Sequence, residues 1–142
     1  MEIFSPYIIA PVVGWVIAQG AKYIIRSIKG RSFKSLRQLY LSGSMPSAHS
    51  ATTVALLTVI GIKDGIGSVV FGIALLFAVV VMYDAMMVRR SSGEQGESLT
   101  ALIKEQKSKV RLPRVARGHT PSEVFVGALL GVIIGAVVAL LV

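Results

Sequence analysis

The sequence predicts an all-α integral membrane protein, a bundle of about four transmembrane helices joined on one side by two basic loops. Three observations carry that prediction. The 142 residues are 54% hydrophobic, with a mean hydropathy of +0.72. The apolar residues fall in blocks, two of which exceed the roughly 20 residues a helix needs to cross a hydrocarbon core of about 30 Å. Lys and Arg crowd into two of the segments between blocks and are nearly absent from the rest. A chain of this length reads as one membrane-embedded domain, 1–142.

The first block, 7–25, is the least clean, because it holds Pro11, Gln19 and Lys22. A basic segment follows with Arg26, Lys29, Arg31, Lys34 and Arg37. There Leu36, Leu39 and Tyr40 stand at helical spacing, as in a short helix lying at the interface. The second block, 47–62, is short for a span and implies local thinning or an interfacial start. A turn with Lys63 and Asp64 leads into the third block, 66–88. The second basic segment carries Arg89, Arg90, Lys104, Lys107, Lys109, Arg111, Arg114 and Arg117. Its centre, 97–109, is expected as a short polar helix within a loop, and Pro113 and Gly118 interrupt any continuation. The fourth block, 121–142, has Gly127, Gly131 and Gly135 at four-residue spacing. Such a stripe admits a neighbouring helix closely, from the same chain or from a second copy, so a homodimer is among the expected partners.

The net charge of +8 does not point to nucleic acid, because the basic residues sit where topology signals sit. The positive-inside rule puts both basic loops in the cytoplasm and both termini outside. The amino terminus shows no cleavable leader pattern. With no cysteine, disulfide and thiolate chemistry are excluded.

Two helix starts stand out: SMPSAHS, before the second block, and GHTPSEV, before the fourth. Each has Pro near the first turn, Ser or Thr to cap it, and one of the two histidines, His49 or His119. Thr120 and Glu123 have the spacing of a capping box. Each start alone is what an ordinary helix cap looks like. Both, however, enter from the predicted cytoplasmic face, and free N–H groups at a helix start favour an anion. Lys22, Arg26, Asp84, Arg89, Arg90, Arg114, Arg117 and Gly118 fall at that same level. Asp84 with Arg89 or Arg90 is open to two readings, a structural ion pair or part of a site, and Arg90 with Glu94 fits a helical ion pair. Trp15 reads as packing or lipid contact.

The His pair with Asp84 or Glu123 could supply the three ligands of a catalytic zinc, but the surrounding arginines oppose a cation, so no metal or other cofactor is expected. A serine-hydrolase elbow requires a strand before its turn, and none is predicted. Phosphoryl transfer through histidine fits better. One His attacks phosphorus, a carboxylate orients that ring, the other His protonates the leaving oxygen, and cations hold the remaining oxygens.

Three stretches resemble the type 2 phosphatidic acid phosphatase superfamily, which includes lipid phosphate phosphatases and vanadium haloperoxidases. The likeness is closest to its divergent branch of small bacterial and plastid membrane proteins. GSMPSAHSA, YDAMMVRRSSGEQ and GHTPSEVFVGALLG match that branch's elements in order, and with the hydrophobic spacing between them the resemblance covers nearly the whole chain. The resemblance implies that Ser47 binds phosphate, His49 is the general acid, His119 the nucleophile, Glu123 its partner and Arg114 a phosphate ligand. The pattern departs in three ways. Arg114 stands one residue closer to the His than in the superfamily, Glu replaces Asp, and the superfamily's first Lys has no counterpart unless Lys22 and Arg26, or Arg89 and Arg90, serve. Glu123 has two competing roles, since a cap for Thr120 is not obviously placed to orient His119.

The expected function is hydrolysis of a phosphomonoester lipid: phosphatidylglycerophosphate first, then phosphatidic acid or a polyprenyl phosphate, at the cytoplasmic face of a bacterial inner membrane. The alternative is a non-catalytic membrane module that binds anionic lipid or a protein partner through its basic loops. A channel or transporter is disfavoured, because no span has a charge near its middle. Lys22 and Asp84 lie near the ends, where they can snorkel.

Overall fold

A computed structural model describes residues 5–30, 45–113, 115 and 118–142. The expected interfacial segment at Leu36, Leu39 and Tyr40, and the cations Arg114 and Arg117, lie outside the described residues, as does the side chain of Arg26. The chain forms α1 (Pro6–Gly30), α2 (Ala48–Lys63), α3 (Val69–Tyr83), a π turn (Asp84–Val88), α4 (Arg89–Glu105) and α5 (Pro121–Leu141). The helical membrane bundle is as the sequence predicts. Among the described residues, three helical stretches are long and apolar enough to cross a membrane: Pro6–Ile25, Val69–Glu105 and Pro121–Leu141.

The short helix, α2, is the hub. It packs against α1, α3 and α5, and half of its 16 residues are buried. Its buried positions are mostly small: Ala48, Ser50, Ala51, Thr53 and Ala55. In a bilayer, helices gain no hydrophobic advantage from meeting each other, so close van der Waals contact between small residues must hold them. The α5 glycines meet this surface. A Cβ at Gly127 would strike the Ser47 carbonyl, and one at Gly131 would lie 2.7 Å from the Ala51 carbonyl oxygen. Gly135 meets the Ala55 carbonyl in the same way. These partners advance together by four residues, so α2 and α5 run parallel with their starts at the same level. The stripe is therefore used inside one chain. On the other side of α2, Ala18 packs with Ala48 and Ala51, and Ala10 with Ala55 and Val59, so α1 runs antiparallel to it.

One expectation fails. The third block does not end at residue 88 before a loop with its own short helix. The helix continues to Glu105, through the π turn. A helix already nucleated adds residues cheaply, so Gly93 and Gly96 do not stop it. Side chains in α4 also bond along its length. Arg90 pairs with Glu94 at 3.2 Å, Ser98 donates to the Glu94 carbonyl and Thr100 to the Gly96 carbonyl. The end comes at Gln106 and Lys107, where the backbone turns to φ 49°.

Candidate active site

Two helix starts form the floor of the site. Ser47 caps α2, its Oγ accepting from the Ser50 N–H at 3.4 Å. Thr120 caps α5, its Oγ1 accepting from the Glu123 N–H. The two starts are tied together, because the Ser47 N–H donates to the Glu123 carbonyl at 3.0 Å.

Glu123 performs both roles that the sequence left in competition. One oxygen, Oε2, accepts from the Thr120 N–H at 3.1 Å and from His119 Nδ1 at 3.0 Å. The residue before the cap thus folds back over the first turn, which four-residue helical spacing alone does not predict. A carboxylate oxygen only accepts, so the His119 proton is held on Nδ1 and the Nε2 lone pair is left for chemistry.

The His119 backbone is fixed from the other side by the π turn. There the Arg89 N–H reaches back five residues to the Asp84 carbonyl instead of four to Ala85. The Ala85 carbonyl is then available, and it accepts from the His119 N–H at 2.9 Å. Gly118 makes this approach possible, because a Cβ there would lie 2.5 Å from the Arg90 backbone nitrogen. The same inserted residue allows Asp84 and Arg89, five apart, to share a face. Arg89 Nε donates to Asp84 Oδ2 at 2.6 Å.

Above this floor lies a cavity of about 780 Å³ between α1, α2 and α3. Its polar end holds Lys22, His49, Asp84, Arg89 and His119, and its apolar wall Trp15, Phe77, Val80 and Val81. The two imidazoles meet edge to face, with ring centres 6.0 Å apart. His49 lines the cavity, and its Nδ1 is buried without a partner. His119 is 2% exposed. That burial pushes its imidazole below the ordinary value of 6.5, with Lys22 and Arg89 adding to the fall and Glu123 opposing it.

Of the residues singled out from the sequence, Lys22, His49, Asp84, Arg89 and His119 line one cavity, with Glu123 directly behind His119. Gly118 and Glu123 support it from below. Ser47 and Arg90 do not line it. Ser47 is fully buried with its hydroxyl in the cap, and Arg90 points to Glu94. Residues that sequence reasoning missed are Gln19, Thr52, Thr53, Phe77, Val80 and Val81. A signal existed for some of them. Gln19 stands one turn before Lys22, Thr52 and Thr53 one turn after His49, and Val80 and Val81 one turn before Asp84.

The model of the divergent PAP2 family matches residues 4–134. The chain is also 30% identical, over 155 aligned positions, to the Bacillus subtilis (strain 168) protein called "Uncharacterized membrane protein YuiD", covering 98% of each chain. No solved structure matches. A family match over almost the whole chain and a membrane relative of the same extent agree with the three motifs and the two tied helix starts: this chain belongs to the divergent PAP2 family.

Proposed function

We propose that the protein is a phosphatase of phosphomonoester lipids, working through a phosphohistidine at His119. The observation that supports this best is the cavity itself. One end gathers two histidines and two cations, one histidine being backed by a carboxylate, and Trp15, Phe77, Val80 and Val81 form an apolar wall beside it.

In the first step, His119 Nε2 attacks phosphorus. The N–P bond forms as the bond from phosphorus to the lipid oxygen breaks, and that oxygen takes a proton from His49. Glu123 holds the Nδ1–H and stabilises the positive charge that develops on the ring. Lys22 and Arg89 face the non-bridging oxygens, with Arg114, Arg117 and Arg26 as further candidates. In the second step, water attacks phosphorus, the N–P bond breaks, His49 takes the water's proton, and inorganic phosphate leaves. Ser47 contributes by capping α2, whose first N–H groups face the phosphate level. Asp84 sets the angle of Arg89.

The membrane setting follows the basic loops. The site lies at the cytoplasmic side of a bacterial inner membrane, with both termini outside and residues 1–142 acting as one unit. A phosphomonoester lipid made at that face, phosphatidylglycerophosphate, is the first substrate, ahead of phosphatidic acid and polyprenyl phosphates. The test is phosphate release from these three lipids in mixed micelles, wild type against His119→Ala. Release that is ranked among the lipids and lost in the variant is expected. Release that persists undiminished in the variant would contradict the assignment, and no release from any lipid would favour a binding module.

A further inference from the structure

Resting on that reading, we infer that the seam between α1 and α3 is a binding site for the hydrocarbon chain of the phosphomonoester lipid, which enters sideways from the bilayer. Both helices pack on α2 and run in the same direction, and both line the cavity. Their side chains keep one register. On α1, Trp15 precedes Lys22 by seven residues, and on α3, Phe77 precedes Asp84 by seven. At 1.5 Å per residue, an aromatic wall therefore starts about 10 Å deeper in the membrane than the charged level on both sides of the seam. Val80 fills the α3 side between the two levels. Trp15, Phe77 and Val80 are each half exposed or slightly more, so their free faces meet lipid rather than protein.

A lipid with an anionic head fits both ends at once. Lys22 and Arg89 take the head, and the chain lies along Trp15, Phe77 and Val80. A soluble phosphoester would leave that wall bare, and a zwitterionic lipid would meet Lys22 and Arg89 with its own cationic group.

The chain's single tryptophan, Trp15, lines the seam and reports on it directly. In proteoliposomes, wild-type protein would be exposed to a phosphonate analogue of phosphatidic acid, which cannot be hydrolysed, with dibrominated chains. Dibrominated phosphatidylcholine at the same bromine content is the reference for general membrane contact. The phosphonate lipid is expected to quench Trp15 more strongly and saturably. Unbrominated phosphonate lipid should relieve the quenching, whereas inorganic phosphate should not. Phe77→Ala, which alters a lipid-facing side chain, should raise the half-maximal mole fraction about fivefold, in line with about 1 kcal/mol of lost chain contact. Equal quenching by the two brominated lipids, or an unmoved midpoint in Phe77→Ala, would overturn the inference. Because the probe is not hydrolysed, this outcome is independent of phosphate release: selective quenching without release would leave the seam standing and remove the phosphatase.

Discussion

At the residue scale, the proposed chemistry depends on one carboxylate oxygen. Oε2 of Glu123 holds the His119 ring and closes the cap of α5 together. Glu123→Gln keeps the shape but removes the charge that favours an imidazolium, and should lower phosphate release about 100-fold, a typical general-acid–base effect. Glu123→Ala also loses the capping box and should cost about 1 kcal/mol of stability, read from thermal unfolding in detergent. The pH profile follows from burial. The nucleophile must be neutral, and His119 resists protonation below the ordinary 6.5. The acid limb of kcat/KM should therefore fall below pH 6.5, and a limb above it would contradict the role given to His119. The same shift affects folding. The unfolded chain takes up this proton near 6.5 while the folded one still refuses it, so His119's contribution is complete above that pH. It declines as pH falls toward the folded value. The identity of these residues was legible in the sequence, because two histidines next to helix-start signals are rare enough to notice. The double use of Glu123 was not, because the position of His119 beside the first turn of α5 is a tertiary fact, its N–H being held by the Ala85 carbonyl.

At the element scale, the two devices that bring the site together are a glycine stripe and a π turn. Gly131→Ala places a Cβ against the α2 backbone, which cannot yield as a side chain can. It should destabilise the bundle by about 1–3 kcal/mol, seen as a lower unfolding temperature. The stripe was plain in the sequence, but its partner was not: spacing alone cannot distinguish a helix of the same chain from a second copy. The π turn left no mark on the sequence at all. Residues 84–88 read as ordinary helix, and only the packing of His119 against Ala85 shows why an extra residue is kept there. Deleting Met87, which is exposed, should restore α geometry while preserving the faces of α3 and α4. The Ala85 carbonyl would then be taken again by the helix, leaving the His119 N–H unpaired, at a cost of about 1–3 kcal/mol. Insertion and helix content should survive, as judged by circular dichroism, while phosphate release falls at least about tenfold. Unchanged release would show that the turn does not position the nucleophile. The continuation of the third helix to Glu105 is invisible to hydropathy for a related reason: residues 89–105 are mostly polar and end the apolar block, although a helix entering from a span needs no new nucleus.

At the scale of the whole molecule, a short hub helix packed among its neighbours gathers the charged groups and histidines of the cavity at one end, with Trp15 and Phe77 toward the other. Hydropathy predicted the spans, and the placement of Lys and Arg supports the proposed orientation of the site toward the cytoplasm. The cavity could not be read from one dimension, since its lining comes from three helices at matching depths. The proposed topology has a simple check because the chain has no cysteine. Single cysteines at the exposed positions Ser92 and Gly67 should behave oppositely toward an impermeant maleimide. On intact cells Gly67→Cys should label and Ser92→Cys should not, and the reverse pattern would turn the site to the outside. The central claim, a covalent step at His119, is tested most directly by the stereochemical course at phosphorus. The substrate would be a lipid bearing an isotopically chiral thiophosphate, with the released thiophosphate analysed. Two successive in-line displacements, first by His119 and then by water, each invert the centre, so net retention is expected. Net inversion would mean that water attacks the lipid directly, and His119 would not be the nucleophile.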